Sequence, residues 1–407
     1  MTAQPPEAAS VPSSDAPLGP SFDAALALSP DASPGLPPRS TLAPASAADL
    51  HAWLDEHAER LDTDRTLAPQ IVPRLAAAGL FGIGVPQALA GTGGTAREAI
   101  MALAGIAEHS LAAAFVFWGQ RTFIEYVLRS PNPALAPRYL PALLRGELAG
   151  ATGLSNAMKY LSKIEPLQMH ATPLQGAGAP RRWTLAGGLP WITNLRPEGF
   201  VAAAAFDHPD DAPASIFAIP HTASGVVRSD DLDLVALRAS NTAALRLDGT
   251  LLDADDLITD DAPAWLPTVR PRFLGLQCGM SVGLARRCLR AAAEAGPGAQ
   301  SALGDDVARQ EQTLHTLTER LLRGVMDDTF VQAPAAMFDI RIALADVLVE
   351  AIALEIQAAG GRGYLRGRNG TARRAREAAF IPIVTPSLVQ LKQQLKQQLA
   401  RHRETGA

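Results

Sequence analysis

The side chains best placed to do chemistry lie in two short stretches. The first, Arg182-Trp183-Thr184-Leu185-Ala186-Gly187-Gly188-Leu189-Pro190-Trp191-Ile192-Thr193-Asn194, reads as strand, glycine turn, strand. Trp191 offers an indole face broad enough to cover a planar aromatic ligand, and the Thr193 hydroxyl, two positions on, suits a ring heteroatom. In a sheet with no ligand, the same pair would serve as one core and one surface residue. The second stretch is Gln357-Ala358-Ala359-Gly360-Gly361-Arg362-Gly363-Tyr364, where paired glycines stop a long apolar helix. Such glycines cap a helix, and having no side chains they also let backbone come close to a phosphate or a partner subunit. A third candidate, Ser155 in Gly153-Leu154-Ser155-Asn156-Ala157, is one glycine short of a nucleophile elbow. Elbows belong to chains that alternate strand and helix, a pattern this chain lacks, so hydrolysis is set aside. The eight histidines show no H-E-x-x-H or other close metal spacing, and no metal site is expected. His109 and His315 fall on helical stretches, where a solvated or packed ring is the simpler reading.

The elements that must position these residues follow from periodicity. Residues 1–46, rich in Ala, Pro and Ser but carrying Glu7, Asp15, Asp23 and Asp31, lack the basic start and apolar stretch of a targeting segment and are expected to be a disordered tail. Residues 47–150 are helical in pattern: Ile71, Leu75 and Ala78 share one face, Gly79 stands at a cap position, and a second helix runs through His109. Residues 151–262 change to a period of two, with Leu167, Met169 and Ala171, and later Leu245 and Leu247, alternating with polar neighbours. This predicts a compact antiparallel sheet or barrel. From residue 263 to 407 the helical period returns. Leu314, Leu317, Leu321, Leu322 and Val325 form one stripe, Ile340, Leu344, Val347, Leu348, Ala351 and Leu354 another, and Leu388, Leu391, Leu395 and Leu399 a last. The predicted fold class is α+β, mostly α: an N-terminal helical domain, a middle sheet domain and a C-terminal bundle of the four-helix type.

Bulk properties narrow the chemistry. With 407 residues, 47% of them apolar, the chain has material for two or three cores. Its 36 basic and 41 acidic side chains are spread along the length and sum to −5, so no basic face suits nucleic acid or anionic lipid. No apolar run approaches the roughly 18 to 20 residues needed to span a bilayer. Cys278 and Cys288, ten apart, fit neither a redox pair nor a zinc knuckle, and a reducing, cytoplasmic setting with both thiols packed in a helix is expected.

Taken in order, four segments resemble the acyl-CoA dehydrogenase family over about residues 60 to 395. Arg138-Tyr139-Leu140-Pro141 with Gly146-Glu147-Leu148 resembles its "KYLP…GEL", and Trp191 to Asn194 its "WITN". Leu237 to Leu245 is similar to its "R-x-S-x-T-x-x-L" strand, and Gln357 to Tyr364 to its "Q-x-x-G-G-x-G-Y". The resemblance implies non-covalent FAD in a homodimer or homotetramer whose subunits share each flavin site. Trp191 and Thr193 would contact the isoalloxazine, Ser155 would retain a hydroxyl on the flavin side, and Gln357, Gly360 and Gly361 would approach a neighbouring subunit's FAD.

The chain departs from that family where the reaction should occur. "T-E-P" becomes Ser155-Asn156-Ala157, and the glycine-rich phosphate loop becomes Met158-Lys159-Tyr160-Leu161-Ser162, leaving Ser162 to serve the pyrophosphate. The "R-x-x-F-G" arginine is missing from Gln300-Ser301-Ala302-Leu303-Gly304. The glutamate of "E-G-T", which removes a substrate α proton, is replaced by Thr385, and the alternative helical position of that base holds Phe273. A neutral hydroxyl cannot take that proton unaided, and a positioned base contributes about 10² to 10⁴ in rate. Glu377 is the nearest carboxylate in sequence. The arginine that steadies substrate becomes Leu274, with Arg272 as a substitute. The resemblance therefore implies an FAD-dependent oxidoreductase that oxidises the CH–CH group of an acyl thioester, its electron acceptor unspecified. The alternatives are a flavin monooxygenase of the same fold, which needs no α-proton base, and a catalytically silent binding subunit.

Overall fold

A computed structural model describes residues 46–161, 165–174, 181–209, 212–365, 367 and 370–405. Apart from Ser46, the expected N-terminal tail lies outside the described residues, as does Ser162. The chain opens with helices whose starts are written locally. Ser46 and Asp49 form a capping box on α1 (Ala47–Thr63), and Thr95 and Glu98 form another on α3 (Ala96–His109). Between them, α2 (Ala68–Ala77) gives way to Gly79 at φ 72°, a left-handed residue that turns the chain. Ser110 caps α4 (Leu111–Arg129), which is buried along nearly its whole length, and α5 (Leu135–Leu144) leads to the sheets.

The middle region contains β1 (Ala149–Thr152), β2 (Met169–Leu174), β3 (Arg182–Ile192), β4 (Phe200–Phe206), β5 (Ser215–Pro220), β6 (Val226–Asp231), β7 (Ala243–Asp253) and β8 (Leu257–Thr259), with α6 (Ser155–Leu161) after β1. They form two four-stranded sheets, ordered β1-β4-β5-β8 and β2-β3-β7-β6. The pairs are antiparallel except β1 with β4, which run parallel. Met169, Trp183, Leu185, Phe206, Phe217, Leu245 and Leu247 belong to the core between the sheets.

Two local expectations are corrected here. The stretch Arg182 to Ile192 is one strand, not strand, glycine turn, strand. Gly187, at φ 124°, sits at a bulge against β7 and lies so close to the Gln168 carbonyl that a side chain would collide with it, so the glycine serves pairing instead of reversal. The Leu237 to Leu245 segment is not strand throughout. Leu237 is left-handed, Arg238–Ser240 form a 3-10 turn, Asn241 is left-handed again, and pairing begins at Ala243.

The chain then returns to helix: α7 (Ala262–Ala293), α8 (Pro297–Met326), α9 (Thr329–Gln332), α10 (Pro334–Ala359), α11 (Thr371–Ala378) and α12 (Leu388–Thr405). Gly275, Gly279 and Gly283 recur every fourth residue along α7 where it crosses α3. A Cβ on Gly279 would stand 2.9 Å from the Ile100 carbonyl oxygen, and one on Gly283 would overlap that of Ala104. Cys278 and Cys288 are both free and buried in α7, and burial pushes the Cys278 thiol up to about 12. The order helices, sheets, helices is the predicted one. Among the described residues, no helix is long and apolar enough to cross a membrane.

Candidate functional site

The site is built around a turn that ends β3 and lies on α4. Trp191, at the end of the strand, is 40% exposed, while Thr193 and Asn194 are buried. Gly119 of α4 makes room for them: a Cβ there would stand 3.3 Å from the Asn194 Cβ and 3.4 Å from the Thr193 Cγ2. Beside it, Gln120 accepts from the Gly150 amide at 2.6 Å and from Asn194 Nδ2 at 3.1 Å, and donates to the carbonyls of Leu143 and Leu148. One buried amide thus ties α4, β1 and the turn together, a fully used inventory of donors and acceptors. The Thr193 hydroxyl donates to the Ser240 carbonyl at 3.3 Å and accepts from Thr242 Oγ1 at 3.2 Å. Its donor is therefore committed, and the remaining lone pair suits a ligand N–H.

Ser155 opens α6 and is half-buried, between the core residue Leu154 and the core residues Ala157 and Met158. The expected phosphate loop is therefore helical through Leu161. Gln357 lies on the exposed last turn of α10 and donates to the Ala353 carbonyl at 3.2 Å. Gly360, at φ 57°, and Gly361 are exposed, and beyond their chain neighbours no atom of the described residues comes within 4 Å of where a Cβ would be. All three residues lie at the surface.

Of the positions that the resemblance assigned to a base, Phe273 lies in an aromatic seam and Thr385 in a turn beyond it. Phe273 of α7 is buried against Trp118 at 5.2 Å between ring centroids, and Trp118 Nε1 donates to the Phe273 carbonyl at 3.3 Å. Phe115 stacks on Trp118 and meets Phe380 edge-on at 4.6 Å. Phe380 leads into the turn that carries Thr385, which is half-buried. Gln277 Nε2 donates to the Thr385 carbonyl at 2.9 Å. Arg341 in turn donates through Nε to Gln277 Oε1 at 2.9 Å and through Nη2 to the Ile381 carbonyl at 2.8 Å. Arg341 is wholly buried, its Nη1 has no hydrogen-bond partner among the described residues, and burial lowers its proton affinity. Its role is to hold the backbone of this turn.

Glu377 is corrected as a candidate base. It is completely buried in α11, paired with Arg373 at 2.7 and 2.8 Å, and accepts from the Leu111 amide at 3.1 Å. Such a carboxylate belongs to the charged network that includes Glu355 with Arg374, and Arg376 with Asp62 and Glu59. Arg272 lies 3.9 Å from Glu125 of α4, a carboxylate shared with Arg121 and Arg129.

Sequence reasoning missed Gln120, Gln277, Arg341 and Glu125. The available signal was polarity out of place: Gln120, Arg121 and Glu125 interrupt an apolar helix, and Arg341 lies between Ile340 and Ile342 on a buried stripe. Two features fit the FAD that the resemblance implies, namely the uncovered indole beside a hydroxyl with a spare lone pair, and the open glycine backbone at 360 and 361.

Residues 48–147 match the family description "Acyl-CoA dehydrogenase, N-terminal domain". Among solved structures, the chain is similar to butyryl-CoA dehydrogenase from Megasphaera elsdenii at 16% identity and a TM-score of 0.73, covering 86% of this chain and 95% of that one. It is similar to the flavoprotein nitroalkane oxidase at 15% identity and a TM-score of 0.74, covering 87% and 94%. It also resembles the prolyl acyl carrier protein oxidase AnaB at 16% identity and a TM-score of 0.70, covering 86% and 98%. At such identities the likeness establishes the fold, which hosts more than one chemistry.

Proposed function

We propose that this chain, whose residues 48–147 match the N-terminal domain of acyl-CoA dehydrogenases and whose fold is that of the similar solved structures, is an FAD-dependent oxidoreductase. The observation that carries the reading is the exposed Trp191 indole two residues before Thr193, whose hydroxyl is held by Ser240 and Thr242 and whose methyl lies against Gly119. Trp191 and Thr193 would hold the ring, and Ser155 would present a hydroxyl on the same side. Gln357, Gly360 and Gly361 would serve the FAD of a neighbouring subunit in a homodimer or homotetramer. When bound, FAD supplies hydride acceptance and, once reduced, reaction with oxygen.

In this reading the neighbouring aromatic residues would give the substrate a dry wall. Trp118, Phe273, Phe115 and Phe380, packed ring on ring, would exclude water and favour an apolar group, while Arg341 and Gln277 hold the turn at Thr385. Oxidation of an acyl thioester at CH–CH requires a group that takes the α proton. Position 385 is a threonine, position 273 a phenylalanine, and Glu377 is committed to Arg373. On that ground we place the monooxygenase reading, which needs no such base, ahead of dehydrogenation.

The test is to load the purified chain with FAD and mix it anaerobically with butyryl-CoA. Unchanged flavin colour, followed by oxygen consumption and a hydroxylated product after chemical reduction of the flavin, is the expected result. Bleaching by the thioester alone restores dehydrogenation. FAD uptake with neither behaviour leaves a binding subunit.

A further inference from the structure

We infer that Gln120 is a positioning residue for the cofactor, holding in register the two segments that face it: the turn at residues 191–194 and the end of β1 that leads to Ser155. That these segments face FAD rests on the proposed function. The hold itself rests on the hydrogen bonds of one wholly buried side chain. Gln120 Oε1 accepts from the Gly150 amide of β1 at 2.6 Å and from Asn194 Nδ2 at 3.1 Å, and Asn194 Nδ2 also donates to the Gly150 carbonyl at 2.9 Å. Two side chains thus take both backbone groups of a single strand residue. At its other end, Gln120 Nε2 donates to the carbonyls of Leu143 at 3.0 Å and Leu148 at 2.9 Å. The amide cannot turn without losing bonds on both sides.

Asn194 needs such a hold. At φ 61° it is a left-handed residue that is not glycine, a conformation that persists only where the surroundings impose it. Among the described residues its Oδ1 has no hydrogen-bond partner, so the side chain is oriented through Nδ2 alone, by Gln120 and Gly150. The Asn194 backbone amide donates to the Ser240 carbonyl at 3.0 Å, the same carbonyl that receives the Thr193 hydroxyl at 3.3 Å. A shift of Asn194 therefore carries the Thr193 hydroxyl with it, and with that the strand end that bears Trp191. The rest of the fold does not hang on this clamp. β1 is paired with β4 from Ala149 to Thr152, and the hydroxyls of Tyr126 on α4 and Thr152 are 3.0 Å apart. Loss of Gln120 loosens the two segments locally and leaves the helical bundle intact.

The experiment compares the full-length wild type with Q120M, Q120E and G283A, by amide hydrogen exchange without ligand and by titration with FAD followed by absorbance. Q120M keeps bulk and removes every hydrogen bond of the amide. Faster exchange is expected at residues 149–153 and 191–195, with α8 and α10 unchanged, and FAD affinity is expected to fall on the order of tenfold or more. Q120E, whose carboxyl burial keeps protonated, retains an acceptor and one donor and is expected to recover part of that affinity. G283A, which loosens α7 against α3, is expected to lower the melting temperature while leaving exchange in both segments and FAD affinity as in the wild type. If Q120M does not fold, Q120E is expected to show the same two changes relative to the wild type in smaller measure. Unchanged exchange in both Gln120 variants, or the same local acceleration in G283A, overturns the proposal. Variants at Gln120 that take up FAD as the wild type does overturn this role alone, whereas a wild type that takes up no FAD overturns the oxidoreductase reading and this role with it.

Discussion

Thr385, which the resemblance aligns with a base, owes its position to a residue far away in sequence. Arg341 reaches Ile381 directly and Thr385 through Gln277. Replacing it by methionine keeps bulk but leaves the Gln277 side-chain oxygen and the Ile381 carbonyl without their donor in the core. Arg341→Met is therefore expected to destabilise the fold by about 1–3 kcal/mol, checked by urea unfolding. Trp191 and Thr193 were legible in the sequence because their signal is local, an aromatic and a hydroxyl two positions apart at a strand end. Arg341 was not, because its partners lie in α7 and in the turn after α11, and nothing in the Ile340-Arg341-Ile342 context names them. Glu377 misled for a related reason: proximity in sequence to Thr385 says nothing of Arg373, which takes up its charge on the same helix.

At the scale of elements, close approach explains several glycines. Gly283→Ala would push α7 from α3 at the Ala104 carbonyl and is expected to cost about 1–3 kcal/mol, whereas Gly304→Ala on α8, where a Cβ meets nothing, is expected to stabilise by about 0.4–1 kcal/mol. Thermal unfolding of both variants provides the comparison. The docking of α1 on α3 carries a pH dependence. His51 stacks on His109 at 4.3 Å, with Asp55 and Glu108 facing it, and burial followed by the His109 charge holds its pKa below the usual range. The unfolded chain then binds the proton more readily, so stability is intact above about pH 6.5 and falls as pH drops toward the lowered value. His51→Gln is expected to flatten that fall in a series of melting curves. Helix stripes and capping residues were readable because they are encoded within a turn or two. The bulge in β3 was misread as a reversal because Gly187-Gly188 carries the local signature of a turn, and only the neighbouring Gln168 backbone reveals why the glycine is there.

For the molecule as a whole, periodicity was enough to order helices, sheets and helices, since core-facing stripes repeat within each element. It could not foresee the parallel pairing of β1 with β4, or the buried ion pairs that join α1, α10 and α11, because these depend on residues brought together only by folding. On the proposed function, FAD binds at Trp191 and Thr193. The most direct test of this is titration of the purified full-length chain with FAD, followed by visible absorbance of the protein fraction, for the wild type and for Trp191→Ala. Flavin is expected to be retained in the wild type and its binding weakened on the order of tenfold in the variant, whose melting temperature stays close to that of the wild type because the indole is exposed. A wild-type protein that remains colourless and takes up no FAD would contradict it.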